Sequence, residues 1–190
     1  MKNVYIYLIP ALWLAWGVYW LIAAADVKST ARSESAASRA AHLVPLAIAG
    51  VLLGARRLPI PFLYAHVFEP TAATFFLGAG IVAGGLAFAV WARAILGRNW
   101  SGTVTLKEGH ELIERGPYRL VRHPIYTGLL AMFLATAIAR GHLGGIVAVV
   151  LSFASFWIKL GEEEKLMRQQ FPDQYRSYEQ RVKRIIPFVL

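Results

Sequence analysis

The 190-residue sequence contains no cysteine. Disulfides, thiolate-held metals and a cysteine nucleophile are therefore excluded, and any covalent or metal chemistry would have to use other side chains. No two histidines stand at metal-ligand spacing, and neither a GxGxxG nor a Walker phosphate-binding pattern is present; the glycine clusters lie inside apolar runs. There is no internal repeat and no low-complexity tract. Charge is scarce as well. Only 16% of residues are charged against 57% hydrophobic, too apolar a balance for a typical soluble domain.

The apolar residues come in blocks. Val4 to Ala25 and Thr71 to Ala92 each run 22 residues without a charge, long enough to cross a hydrocarbon core about 30 Å thick. Ala41 to Ala55 is shorter and carries His42 and Pro45. Ile125 to Lys159 is broken near its middle by Arg140 beside Gly141, Gly144 and Gly145, which reads as a tight helical hairpin whose halves are short for full crossings. The expected fold class is all-α integral membrane, with about five transmembrane helices in one domain over 1–190. The spans fall at about 4–25, 41–57, 71–96, 125–140 and 143–160, with a polar loop 97–124 and a tail 161–190. Ala23-Ala24-Ala25 before Asp26 looks like a signal-peptidase site, but the apolar run exceeds a signal core and only Lys2 precedes it, so an uncleaved span is expected.

A formal charge of +9 suggests nucleic acid, yet the basic residues lie outside the apolar blocks rather than along one soluble face, so no nucleic-acid partner is expected. Membrane topology accounts for them. With five spans and a cytoplasmic C-terminus, sixteen of the twenty Lys and Arg fall inside, and only Lys2, Arg56, Arg57 and Arg140 fall outside. The N-terminus is then outside.

The connectors differ in content. Asp26 to Ala40, with four serines, reads as a polar surface segment with a short helix. Leu58-Pro59-Ile60-Pro61 breaks the chain, and Phe62, Tyr64, His66 and Phe68 suit a membrane interface. Gly78, Gly80, Gly84 and Gly85 permit close helix approach. Gly97 to His123 is too long for a simple turn; Trp100, Leu106, Leu112 and Ile113 let it fold back, and Thr103 to Thr105 suggest a short extended piece. The tail from Gly161 to about Val182 reads as one amphipathic helix, with Phe171, Tyr175 and Tyr178 forming an apolar stripe against the membrane or the loop.

Chemistry concentrates in Arg115 to Gly128, RGPYRLVRHPIYTG, and in the run Glu162 to Glu164 beyond the hairpin. The hairpin brings these two clusters to one side of the membrane. Taken alone, Arg122-His123-Pro124 is a helix start with interface anchors. With Gly116-Pro117-Tyr118 upstream and Tyr126 one turn beyond Arg122, it becomes a shaped turn at a helix N-terminus, suited to a carboxylate. The acidic run either pairs along its helix with Lys165 and Arg168 or meets Arg122 or Arg119 and faces a ligand. Glu163 and Glu164 point about 100° apart and would do different jobs. His42, His66 and His142 read as structural, and His110 is a lone loop histidine.

From Gly97 on, the residues resemble the integral-membrane isoprenylcysteine carboxyl methyltransferases and their bacterial relatives. The resemblance is carried by Gly97-Arg98-Asn99-Trp100, Glu108-Gly109-His110-x-Leu112, Gly116-Pro117-Tyr118, Arg122-His123-Pro124-x-Tyr126-x-Gly128, then Glu163-Glu164 with Phe171, Tyr175, Tyr178 and Ile186-Pro187. Order and spacing together make it specific, and it covers nearly half the chain. Related motifs occur in phospholipid N-methyltransferases and membrane sterol reductases. The resemblance implies S-adenosylmethionine bound on the cytoplasmic face of a bacterial inner membrane, with a lipophilic or prenylated acceptor arriving through the bilayer. It assigns catalysis to Arg122, Tyr126 and Glu163, and cofactor binding to His110, Leu112, Gly116, Pro117, Tyr118, His123, Pro124, Tyr126, Glu163 and Glu164. No metal is implied. Arg122 would orient a carboxylate, of acceptor or cofactor, and one of the two glutamates would hold the cofactor's amino group or ribose. An isoprenylcysteine-like carboxylate is the expected acceptor; a lipid amine, a thiol, or a non-enzymatic membrane protein with structural motifs remain open alternatives.

Overall fold

The computed structural model describes residues 2–25, 27, 30–33, 35–55, 58–100, 105–107 and 111–190. The elements run α1 (Lys2–Ala23), β1 (Thr30–Ser33), α2 (Ala36–Gly54), α3 (Ala72–Leu96), β2 (Thr105–Lys107), α4 (Pro124–Arg140), α5 (Leu143–Gln170) and α6 (Pro172–Arg181). Helices α1, α2, α3 and α5 are long and apolar enough to cross a membrane; α4, at 17 residues, is apolar but shorter. The protein is thus an all-α integral membrane fold carrying, among the described residues, one two-stranded antiparallel ladder, β1 on β2, with Ser33 opposite Thr105.

Local chemistry explains the boundaries. Ser35 caps α2 by accepting from the Ser38 amide at 3.2 Å, and Thr71 with Thr74 forms a reciprocal capping box at the start of α3, at 2.8 and 3.1 Å. Pro124 opens α4, where the first turn needs no N–H partner. Gly141, at φ 65°, closes α4 in the left-handed conformation, and His142 Nδ1 accepts from the Gly145 amide at 3.0 Å to start α5.

Three sequence expectations change here. Residues 36–40 are the first turns of α2, and Thr30–Ser33 is a strand rather than part of a surface helix. The second arm of the hairpin is not short, since α5 continues unbroken for 28 residues through the acidic run. The tail is consequently not one helix from Gly161; Pro172 starts the separate helix α6.

Helix α3 packs chiefly on α4, and α2 on α5. The α3–α4 seam is close because it is lined with glycine. A Cβ at Gly85 would lie 2.7 Å from the Gly128 carbonyl oxygen, and one at Gly78 would lie 2.8 Å from that of Ala135. Gly80 and Gly84 face open space instead. Helix α1 is held more lightly: Trp13 Nε1 donates to Thr136 Oγ1 at 3.1 Å, Trp13 meets Phe133 edge-on at 5.0 Å, and the Arg93 guanidinium donates to the Ala23 carbonyl.

Candidate functional site

The polar end of the bundle is built around residues 115–128. Gly116 takes φ 60°, which lets the chain turn against Ile95 and Trp91 into a 3-10 turn, Gly116–Arg119, with buried Pro117 at its start. Tyr118 is buried beneath it. Its carbonyl accepts from the Tyr178 hydroxyl at 2.6 Å, which docks α6 on the turn. The chain after α6 then runs beside residues 121–123: the Arg122 amide donates to Lys183 O at 2.8 Å, the His123 amide to Arg184 O at 3.1 Å, and the Thr127 hydroxyl to Ile185 O at 2.7 Å. The amides of Arg122 and His123, just before α4, are thereby satisfied without water.

Two glutamates of α5 meet this frame and separate. Glu164 is 2% exposed. Its Oε1 accepts from Arg122 Nε and Nη2 at 3.1 and 2.9 Å, lies 3.0 Å from His123 Nε2 and 3.1 Å from Arg184 Nε; its Oε2 accepts from Arg168 at 3.2 Å. Burial works against ionisation of this carboxyl, but hydrogen bonding and charge from His123, then Arg122, outweigh it and hold the pKa at about 2. Glu163 instead turns to Tyr126, whose hydroxyl donates to its Oε1 at 2.6 Å, with His123 Nδ1 3.7 Å from its Oε2.

A cavity of about 140 Å³ opens against Glu163 and Tyr126. Leu112, Tyr118, Arg122, His123, Pro124, Tyr126 and Glu163 line it; Gly116, Pro117 and Glu164 do not. Gly116 and Pro117 shape the turn from behind, and Glu164 faces the cation cluster. His110, with Glu108 and Gly109, lies outside the described residues. Arg122 reaches the cavity wall but is already engaged, donating through Nη1 to Val182 O at 2.6 Å as well as to Glu164.

Further walls come from residues that the motifs did not single out as ligands. Asn99 and Trp100 arrive from the end of α3, Glu111 and Ile113 from the loop, and Leu166 and Met167 from α5. The last two stand three and four residues after Glu163, the spacing that puts them on its helical face. Tyr175 and Tyr178 of the apolar stripe complete the wall, so the stripe lies against the loop. Burial first, then nearby charge, raises the phenols of Tyr118, Tyr175 and Tyr178 well above the ordinary range, so all three stay neutral donors. The Tyr175 hydroxyl is buried without a hydrogen-bond partner among the described residues.

A family profile described as phospholipid methyltransferase matches residues 73–174, more than half of the chain. The chain belongs to the phospholipid methyltransferase family. Similar curated proteins include protein-S-isoprenylcysteine O-methyltransferase B of Arabidopsis thaliana, 31% identical over 49% of each chain. A probable protein-S-isoprenylcysteine O-methyltransferase of Oryza sativa subsp. indica is 33% identical over 49% of this chain and 50% of its own. Methanethiol S-methyltransferase 1 of Bradyrhizobium diazoefficiens is 39% identical over 37% of this chain and 24% of its own. The chain thus spans about half the length of the plant relatives and less of the bacterial one. The resemblance read from Gly97 onward is borne out, and the family match extends it back through most of α3.

Proposed function

We propose that the protein is an integral-membrane methyltransferase that transfers the methyl group of S-adenosylmethionine to a lipophilic acceptor. The favoured acceptor is the carboxylate of an isoprenylcysteine-like substrate. The observation that carries this reading is the cavity at the polar end, where the Tyr126–Glu163 hydrogen bond of 2.6 Å faces aromatic and apolar walls. Residues 1–190 serve as one membrane domain of a bacterial inner membrane, with the N-terminus outside and the cavity on the cytoplasmic face.

The donor set fits the cofactor. In a chain of net charge +9, the cavity carries two carboxylates, Glu111 and Glu163, suited to an ammonium or ribose hydroxyls. Trp100, Leu112, Ile113 and Met167 suit an aromatic base, and the orphaned Tyr175 hydroxyl is a polar group awaiting a partner. When bound, the cofactor supplies an already electrophilic methyl group. The protein's part is placement and exclusion of water. Tyr126, on α4, fixes the Glu163 carboxylate of α5, so the two arms of the hairpin hold one ligand group between them. Glu164 and Arg122 act as positioning residues: their bonds leave Arg122 few donors for a ligand, and they lock the tail over the cavity. His123 bridges the two tasks through its two ring nitrogens.

A carboxylate acceptor arrives deprotonated at neutral pH and needs no base. A thiol acceptor is the second reading, favoured by the relatives named methanethiol S-methyltransferases in Bradyrhizobium and Pseudomonas; its proton would pass to Glu163 or His123. Calorimetry on the detergent-purified protein tests the whole proposal. Micromolar binding of S-adenosylmethionine, weakened about tenfold or more in Glu163→Gln, with no binding of NADPH, is the expected result. Binding of neither cofactor, or equal affinity in the variant, would overturn it. Methyl transfer to prenylcysteine, lipid amine and thiol acceptors then distinguishes the substrates.

A further inference from the structure

A second cavity, of about 1020 Å³, lies at the end of the bundle opposite the polar site, where α1 and α3 begin and α2 and α4 end. A water occupies about 30 Å³ of liquid, so this space is of amphiphile size. It exists because α1 and α2 make no extended contact with each other among the described residues. Ile9, Phe75 and Phe133 give it apolar walls, and Thr136 and Arg140 a polar end.

Arg140 is the charged group of this cavity. An ionised side chain in an apolar segment is costly and is ordinarily paired with an opposite charge or with backbone carbonyls. Helices α1 to α4 contain no Asp or Glu at all. At this end of the bundle the carboxylate among the described residues is Glu69, 87% exposed and 4.0 Å from His66. Arg140 donates instead to the carbonyls of Leu53 and Ala55 at the end of α2, whose partial negative charge orients and partly offsets the guanidinium without supplying a full counter-charge.

We infer that this cavity is a phospholipid site, with the lipid phosphate paired to Arg140 and an acyl chain lying along Ile9, Phe75 and Phe133 between α1 and α2. The occupant is a molecule of the surrounding bilayer, held by both charge and burial. It stands apart from the methyl-transfer cavity and completes the packing of α1, which protein contacts alone leave loose. Gly50 supplies an independent test, because it lines the cavity and a Cβ there meets no atom within 4 Å. A Gly50→Leu side chain would enter the lipid space and leave Arg140 in place.

The experiment is native mass spectrometry of the full chain released from detergent, after incubation with phosphatidylglycerol or with diacylglycerol bearing the same chains. The expected result is one retained phosphatidylglycerol, with diacylglycerol retained about tenfold less, and loss of that adduct in both Arg140→Gln and Gly50→Leu. Equal retention of the two lipids, or an undiminished phosphatidylglycerol adduct in Gly50→Leu, would overturn the assignment. Displacement by millimolar inorganic phosphate would also overturn it, in favour of a free-anion site. S-adenosylmethionine affinity of Gly50→Leu is expected to match the wild type, so the outcome is separable from that of the methyltransferase test.

Discussion

Glu163 and Glu164 project about 100° apart on one helix, and the rotation of α5 sends the first into the cavity and the second into the cation cluster. The sequence made both visible as candidates and separated their jobs, yet the choice depends on helix phase, which only the packed hairpin supplies. Arg122, His123 and Tyr126 were likewise legible from spacing. The backbone acceptors that take the remaining donors of Arg122 were not, because Val182 and Glu179 sit some sixty residues away. The cluster around Glu164 has a pH signature. The Glu164 pKa is depressed from 4.5 to about 2, so its contribution is complete above about pH 4.5 and is lost as pH falls toward 2. Glu164→Gln leaves Arg122 and Arg184 without their nearest anion and is expected to cost about 3 kcal/mol at pH 7. Thermal midpoints from pH 7 down to 3 check this: the wild type should weaken below about pH 4.5 and the variant should start lower and change less. Equal midpoints at pH 7 would remove Glu164 from this role.

At the scale of elements, the small-residue pattern of the third span was readable, but its four glycines are not equivalent. Gly78 and Gly85 are seven residues apart, two turns, and share the face that α4 occupies, whereas Gly80 and Gly84 look outward. Gly85→Val is therefore expected to destabilise the bundle by about 1–3 kcal/mol through overpacking. Gly80→Val should stay within about 0.5 kcal/mol. Thermal unfolding in one detergent compares the pair, and similar losses in both would place the seam elsewhere. The extension of α5 escaped the sequence because the change from apolar to acidic residues looked like a boundary. Hydropathy marks where a helix leaves the membrane, not where its hydrogen bonding stops; Pro172 marks that point. Serine-rich composition likewise hid the strand Thr30–Ser33, whose pairing partner β2 is more than seventy residues away in the chain.

For the whole molecule, the distribution of Lys and Arg gave the proposed orientation, with the cavity facing the cytoplasm. A green fluorescent protein fused after Leu190 should fluoresce, and alkaline phosphatase inserted between Pro59 and Pro61 should be active; the reverse pattern would invert the topology and with it the face of the proposed cofactor site. Family membership could be read in advance because the polar motifs are concentrated on one side of the bundle. The apolar helices that form the rest carry few positions whose chemistry is distinctive, so the gap between α1 and α2 had no trace in the sequence.

Helix α5 is 28 residues long, about 42 Å at 1.5 Å per residue, against a hydrocarbon core of about 30 Å. Its first half is embedded and its last turns carry Glu163, with no break between them. The height of Glu163 above the lipid is therefore set by hydrophobic matching. A thicker bilayer draws the carboxylate toward the acyl boundary and a thinner one lifts it into water or tilts the rod, at a cost of fractions of a kcal/mol per ångström. Acyl-chain length thus becomes a physical variable of the proposed site, acting through one rigid element on the distance between the proposed membrane-borne acceptor and the proposed water-borne cofactor.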